Sequence, residues 1–214
     1  MRVAPFRMLL LFPALLAGAA TAAIAQPLHE AELVKALRAG GLVVIVRHGA
    51  THADQADVDP LHVDQPGNEA KQRQLNDKGR AAARAWNEAI KRMGIRVGKV
   101  YSSKFQRAQE TAKLAFGEPQ TTFDVSEGGL VVSSDENIRR AQAMRKMAGT
   151  APEPGTNTFI VTHRPNLMDA FGKDWFDVKE GEASVFEPDG KGGSRVIGRV
   201  LSDQWTALAA RTPK

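Results

Sequence analysis

The chain has 214 residues, 29 lysines and arginines against 24 aspartates and glutamates, a formal charge of +5, and no cysteine. That length suits one domain with a sizeable core plus a short extra segment. The lack of cysteine excludes disulfides, a thiol nucleophile, a cysteine-based zinc site and a lipidated N-terminal cysteine, and no basic run interleaved with aromatics points to nucleic acid.

Residues 1–25 have the layout of a secretory signal peptide. Arg2 and Arg7 form a basic start, Met8 to Ala17 is almost wholly apolar, and Ala23-Ile24-Ala25 is a small-x-small cleavage site before Gln26. The expectation is cleavage after Ala25, leaving a single domain, residues 26–214, that is periplasmic or secreted. A retained anchor is the alternative, because the apolar stretch approaches spanning length; Pro13 and the many alanines oppose it. No later segment could form a stable membrane span. Loss of Arg2 and Arg7, the charged residues of that segment, leaves +3, an excess that suits small anions or acidic surfaces.

The pattern of residues 28–39, with Leu28, Leu33, Ala36 and Leu37, predicts a helix stopped by Gly40-Gly41. A β-branched run, Leu42 to Val46, predicts the first strand. Residues 50–74 carry no period and are rich in Asp, His, Gln and Pro, a length of loop that is usually functional or mobile. Asn76 can cap a long helix from Asp77 to Met93, whose apolar face is Ala82, Trp86, Ile90 and Met93. A strand follows at Val97 to Tyr101, a helix at Phe105 to Phe116, a short strand near Thr122 to Val125 and a helix at Asn137 to Met147. Residues 151–155 (APEPG) form a turn cluster before a strong strand, Thr158 to Thr162, and a helix starting near Pro165. Ala183 to Phe186 and Arg195 to Leu201 flank Asp189-Gly190 and read as a hairpin. Alternating strands and helices predict an α/β layered domain with a mainly parallel sheet and an antiparallel edge.

In such sheets ligands bind beyond the carboxyl ends of the strands. The first strand runs into Arg47-His48-Gly49, the second into Ser102-Ser103 and then Arg107, and the third into His163-Arg164. Three strand ends thus deliver cations or imidazoles to one rim, a pocket for a multiply charged anion. Arginine forks match phosphate geometry, and a neutral imidazole among arginines keeps a lone pair for nucleophilic attack. Gly49 lets the backbone approach the ligand closely.

R-H-G after a strand, S-S-x-x-x-R-A-x-E-T-A (Ser102 to Ala112) and V-T-H (Val161 to His163) resemble the histidine phosphatase superfamily, which has the phosphoglycerate mutase-like fold. The resemblance spans roughly residues 41 to 200. Q-R-x-L-x-x-x-G-R, here Gln72 to Arg80, is similar to an exported bacterial branch of that family. The resemblance implies a three-layer α/β/α sandwich, a phosphohistidine on His48, phosphate held by Arg47, Arg107 and His163 with Arg73 at its edge, and neither metal nor cofactor. It implies an exported phosphatase acting on a small phosphorylated substrate, such as a sugar phosphate, an envelope phosphate, a nucleotide or a small ester.

The general acid departs from the family pattern, since Ala50 and Arg164 occupy places where many members carry acids. Glu182, just before a strand expected beside the His163 strand, ranks first as replacement and Glu127 second, with Asp135 and Glu136 in the same region as Glu127. The rival class is a catalytically weak phosphate-binding envelope protein on the same scaffold. His48 and His52 with Asp54, Asp57 and Asp59 could supply metal ligands, but no regular spacing fixes them, and the acids read as a solvated loop. His29 and His62 read as surface residues, Trp86 and Met93 as core. Trp175 and Phe176 either cover the pocket or pack the helix after His163.

Overall fold

The computed structural model describes residues 28–212, so the signal-peptide segment lies outside the described residues. Helix α1 (Glu30–Ala39) leads into β1 (Val43–Arg47); α2 (Asp77–Arg92), β2 (Val97–Ser103), α3 (Gln106–Ala115) and β3 (Gln120–Thr122) follow. The second half contains α4 (Ser134–Ala148), β4 (Asn157–Thr162), α5 (Arg164–Phe171), β5 (Ala183–Pro188), β6 (Ser194–Val200) and α6 (Gln204–Arg211). One sheet runs β3-β2-β4-β1-β5-β6. Its first four strands are parallel and β5 and β6 are antiparallel, so the expected parallel sheet with an antiparallel edge is what forms.

Strand β1 shows why both faces must be covered. Val44 and Val46 join the core beneath α1, α2, α3 and α6, while Val43 and Ile45 join the core beneath α4 and α5. Period-two geometry sends alternate side chains to opposite faces, and a wholly apolar strand is stable only with helices on both. Trp86 anchors the first core with its ring N–H on the Ser202 carbonyl at 2.9 Å. Phe171, Trp175 and Phe186 pack ring against ring in the second.

Local chemistry sets the element ends. The Asn76 side chain accepts the Gly79 N–H at 2.9 Å and starts α2, as its residue type predicts. Ser133 does the same for α4, accepting from Glu136 at 3.2 Å, which begins that helix three residues before the expected Asn137. The short strand also differs from expectation: β3 ends at Thr122, and Phe123–Val125 is a 3₁₀ turn. Thr122 accepts the Asp124 N–H with its own hydroxyl (3.1 Å), so the side chain supplies the turn in place of a sheet partner. Helix α6 is absent from the sequence expectations; its single turn-spaced face of Trp205, Leu208 and Ala209 closes the first core.

Residues 50–74 are not a free strap. Their ends meet where Thr51 bridges Leu75, and His52 N–H reaches the Gln74 carbonyl at 3.1 Å. Inside the loop Val63 is buried and Gln72 holds the Val63 carbonyl and the Asn68 side chain. Gln72 Oε1 accepts the Gln106 N–H at 2.7 Å, which ties the loop to the first turn of α3. That tie brings the loop to the carboxyl ends of β1 and β2.

Candidate active site

The backbone at the end of β1 is still zipped to its neighbours where the chemistry begins. Arg47 N–H donates to the Glu182 carbonyl and His48 N–H to the Thr162 carbonyl, each at 3.0 Å. His48 is 2 % exposed. Its Nδ1 lies 2.8 Å from the Gly49 carbonyl, which can only accept, so the ring proton sits on Nδ1 and Nε2 keeps its lone pair. Burial, then the positive charges of Arg107, Arg47 and Arg73, hold the His48 imidazole well below its ordinary value of 6.5, outweighing the opposing Gly49 hydrogen bond. His48 is a neutral base at physiological pH.

Gly49 earns its place by packing. Its N–H donates to Thr111 Oγ1 at 3.0 Å, and that hydroxyl donates to the Arg107 carbonyl at 2.7 Å. A Cβ on neighbouring Gly79 would stand 2.2 Å from the Ala50 carbonyl oxygen, so α2 can start against this loop only with glycine there. Arg80 and Glu110 pair at 2.7 Å, joining α2 to α3. The Gly-Arg and Glu-Thr parts of the sequence motifs are therefore clamps that align the three strand ends.

His163 is completely buried, its ring centroid 5.2 Å from that of His48. Ser103 Oγ accepts the Phe105 N–H at 3.1 Å and lies 2.7 Å from His163 Nε2. The Glu127 carboxylate, 3.5 Å from Nδ1, favours the ring proton there, with Nε2 accepting the Ser103 hydroxyl proton. Burial, Arg107 and His48 hold this ring too well below 6.5. Arg107, 1 % exposed, lies 4.5 Å from the Phe105 ring centroid and is gripped by two carboxylates, Asp57 at 2.9 Å and Glu127 at 3.2 Å. Arg47 donates to the Val178 carbonyl at 2.8 Å and faces Glu180 at 3.6 Å.

The decisive feature is a set of unused donors. Arg47 Nε, Arg73 Nε, Arg107 Nε and His163 Nδ1 are all buried without a hydrogen-bond partner. Each such group costs about 1–3 kcal/mol unless an acceptor reaches it. Four of them, from the four residues expected around phosphate, are what an oxyanion would satisfy.

The two candidate acids part company here. Glu127 Oε2 lies 3.2 Å from Arg107 and 3.5 Å from His163 Nδ1, inside this cluster. Its backbone is held from both sides: Arg140 donates to the Ser126 carbonyl at 3.1 Å, and Asn166 to the same oxygen at 2.8 Å. Arg140 is in turn fixed by Glu136, whose carboxyl Arg139 and Arg140 hold down to about 2. Glu182, ranked first from sequence, is buried elsewhere. Its oxygens accept from Lys179 N–H at 2.8 Å and Arg199 Nε at 2.6 Å. Glu136 and Asp135 lie on α4, and neither is among the partners of the histidines.

Sequence reading missed two contributors. Ser103 sits in the strand-end motif but showed no sign of fixing the His163 tautomer. Asp57 reads in sequence as part of a solvated loop, yet its Oδ1 accepts from both Arg107 and the Arg73 backbone N–H, the latter at 3.0 Å. Nothing local to Asp57 signals this, because the contact closes a 50-residue separation. Asp59 instead pairs with His62 at 2.7 Å and Lys71 at 3.5 Å. Among the described residues no three His, Asp or Glu side chains converge as metal ligands. Trp175 is core, whereas Phe176 is exposed.

Comparison with known proteins now bears on this geometry. Residues 43–128 match the model of the histidine phosphatase superfamily (branch 1). Over those residues the chain resembles that superfamily. Solved structures agree in fold: the protein histidine phosphatase SixA complexed with tungstate has 15 % identity and a TM-score of 0.52, covering 76 % of this chain and 98 % of that one. Phosphoserine phosphatase from Entamoeba histolytica in complex with 3-phosphoglyceric acid has 14 % identity and a TM-score of 0.51, covering 77 % and 98 %. Mycobacterial hydrolase 1 has 17 % identity and a TM-score of 0.50, covering 73 % and 96 %. A search of curated proteins finds no match. The R-H-G motif and the motif from Ser102 to Ala112 lie within the matched residues, and all three motifs, with Val161 to His163, coincide with the strand-end cluster.

Proposed function

We propose that the protein is an exported phosphomonoesterase working through a phosphohistidine on His48 without a metal. The observation that carries this is the buried quartet of unused donors around a histidine whose Nε2 lone pair is free. Similar folds bind tungstate and 3-phosphoglyceric acid, which supports an oxyanion as the ligand here. The signal-peptide layout of residues 1–25 supports export to the periplasm or beyond.

In the first step the Nε2 lone pair of His48 forms the N–P bond as the P–O bond to the leaving group breaks. The three arginines and His163 Nδ1–H hold the equatorial oxygens, whose charge redistributes in the transition state. Glu127, which touches both Arg107 and His163, hands the leaving oxygen its proton. In the second step water attacks phosphorus, Glu127 takes a proton from it, and the P–N bond breaks to release phosphate and free His48. Glu182 is engaged by Arg199 and Lys179, so the role passes to Glu127. Envelope or sugar phosphates fit the proposed location.

The test is phosphate release from an aryl phosphate by residues 26–214 with chelator present, beside His48→Ala. Turnover that survives chelator and disappears in the variant is expected, with an acid-labile phosphoenzyme trapped on quenching. Activity retained by His48→Ala would sink the mechanism. Phosphate binding without turnover would instead place the chain among binding proteins.

A further inference from the structure

Around the phosphate pocket stand four arginines, and they are not equivalent. Arg47 and Arg107 have carboxylate partners, whereas among the described residues Arg73 and Arg164 have none. Arg73 has a buried Nε and belongs with the phosphate. Arg164 is exposed, and its guanidinium carbon lies 5.8 Å from the centroid of the Phe176 ring. Phe176 is itself 64 % exposed, while its neighbour Trp175 is core. A single exposed phenyl ring is ordinary on a protein surface; what sets this one apart is the arginine over its face, without a carboxylate partner among the described residues, beside the phosphate pocket.

The platform is tied to the pocket at both ends. Arg164 directly follows His163 and opens α5. Phe176 precedes by two residues Val178, whose carbonyl accepts from Arg47 at 2.8 Å, and the same segment carries Glu180, which faces Arg47 at 3.6 Å. Arg164 is near enough that its charge opposes that of Arg47. Stacking on an aromatic face leaves the in-plane N–H donors of a guanidinium free for a planar or tetrahedral anion and restricts the side chain beforehand. The phosphoryl group does not need these donors, since buried groups already supply its own.

We propose that Arg164 and Phe176 form a leaving-group subsite for substrates whose alcohol part carries a second anionic group next to an apolar or ring face. This rests on the phosphatase reading of the neighbouring pocket, and the test separates the two. Binding of phenylphosphonate and of its 3- and 4-carboxy derivatives, which cannot turn over, is measured by calorimetry for wild type, Arg164→Gln, Arg164→Lys and Phe176→Ala. In wild type the better carboxy isomer is expected to bind roughly tenfold more tightly than phenylphosphonate, the worth of one charge-assisted contact. Arg164→Gln should bring that ratio to about one, Arg164→Lys should keep part of it, and Phe176→Ala should lower it severalfold.

A wild-type ratio near one for both isomers, or a ratio unchanged in Arg164→Gln, would overturn the subsite. Turnover of phenyl phosphate is followed in parallel. A preference in binding with no turnover leaves the subsite standing and removes the phosphatase reading; turnover without preference does the reverse.

Discussion

The turn that carries Glu127 and the turn that carries Glu182 flank the same pair of strand ends, and each holds a glutamate against an arginine. At the first turn the arginine is Arg107, which also serves the phosphate cluster, and His163 stands 3.5 Å away. At the second it is Arg199 of β6, on the antiparallel edge strand, with a local backbone N–H as the other partner. On the proposed reading, the first carboxylate shares its arginine with an incoming anion, whereas the second is engaged in holding the turn to β6. In the proposed mechanism, what separates the reactive acid from the structural one is the identity of its cation, since both residues are partly or wholly shielded.

The sharpest way to break this contrast is to neutralise each acid in turn. Glu127→Gln should lower turnover of alkyl phosphates by about 10²–10⁴-fold, the usual worth of general acid–base catalysis, with a much smaller loss on nitrophenyl phosphate, whose leaving group needs no proton. Equal losses on both substrates would show that Glu127 acts only through Arg107. Glu182→Gln should do the opposite, leaving turnover within a few-fold and costing about 1–3 kcal/mol in urea unfolding, because Arg199 loses its charged partner. A large activity loss in a stably folded Glu182→Gln would return the acid's role to that turn.

Acid titration sharpens the comparison from another side, because both depressed histidines lie with Glu127. A native value held below 6.5 means that the unfolded chain binds the extra proton first. The contribution is complete above about pH 6.5 and is lost as pH falls from there toward the lowered native values, by up to about 1.4 kcal/mol per pH unit for each histidine. Denaturant melts of wild type and His163→Gln between pH 7 and 5 check this; the variant should show the shallower slope. The smallest effect concerns the second carboxylate on Arg107. Asp57→Asn should tighten competitive inhibition by inorganic phosphate about threefold to tenfold by removing a competing anion from the arginine, the scale of a partly exposed pair. Weaker inhibition would mean that Asp57 is needed to aim Arg107.

Much of this was open to a reader of the chain. Val43 to Val46 is apolar at every position, which demands cover on both faces and so a layered α/β sheet. Arg47 ends a strong strand and His48, Arg107 and His163 each follow one within a few residues, so parallel strands bring them to one rim whatever the connecting helices do. Arg73 reaches the same rim because Gln72 docks the loop on α3, a bond between side chain and backbone that no periodicity announces.

What the sequence by itself determined, then, is the layered sheet and its cationic rim, because strand period and strand ends are local properties that add up to a position. Only the tertiary structure decided which acid faces that rim. The side-chain partners of Glu127, Glu182 and Asp57 come from distant segments or from the direction in which a turn points its residues. Arg107 and Arg199 look alike in sequence, and the burial of Arg107 beside His163, against the exposure of Arg199 on the edge strand, is what makes their carboxylates different.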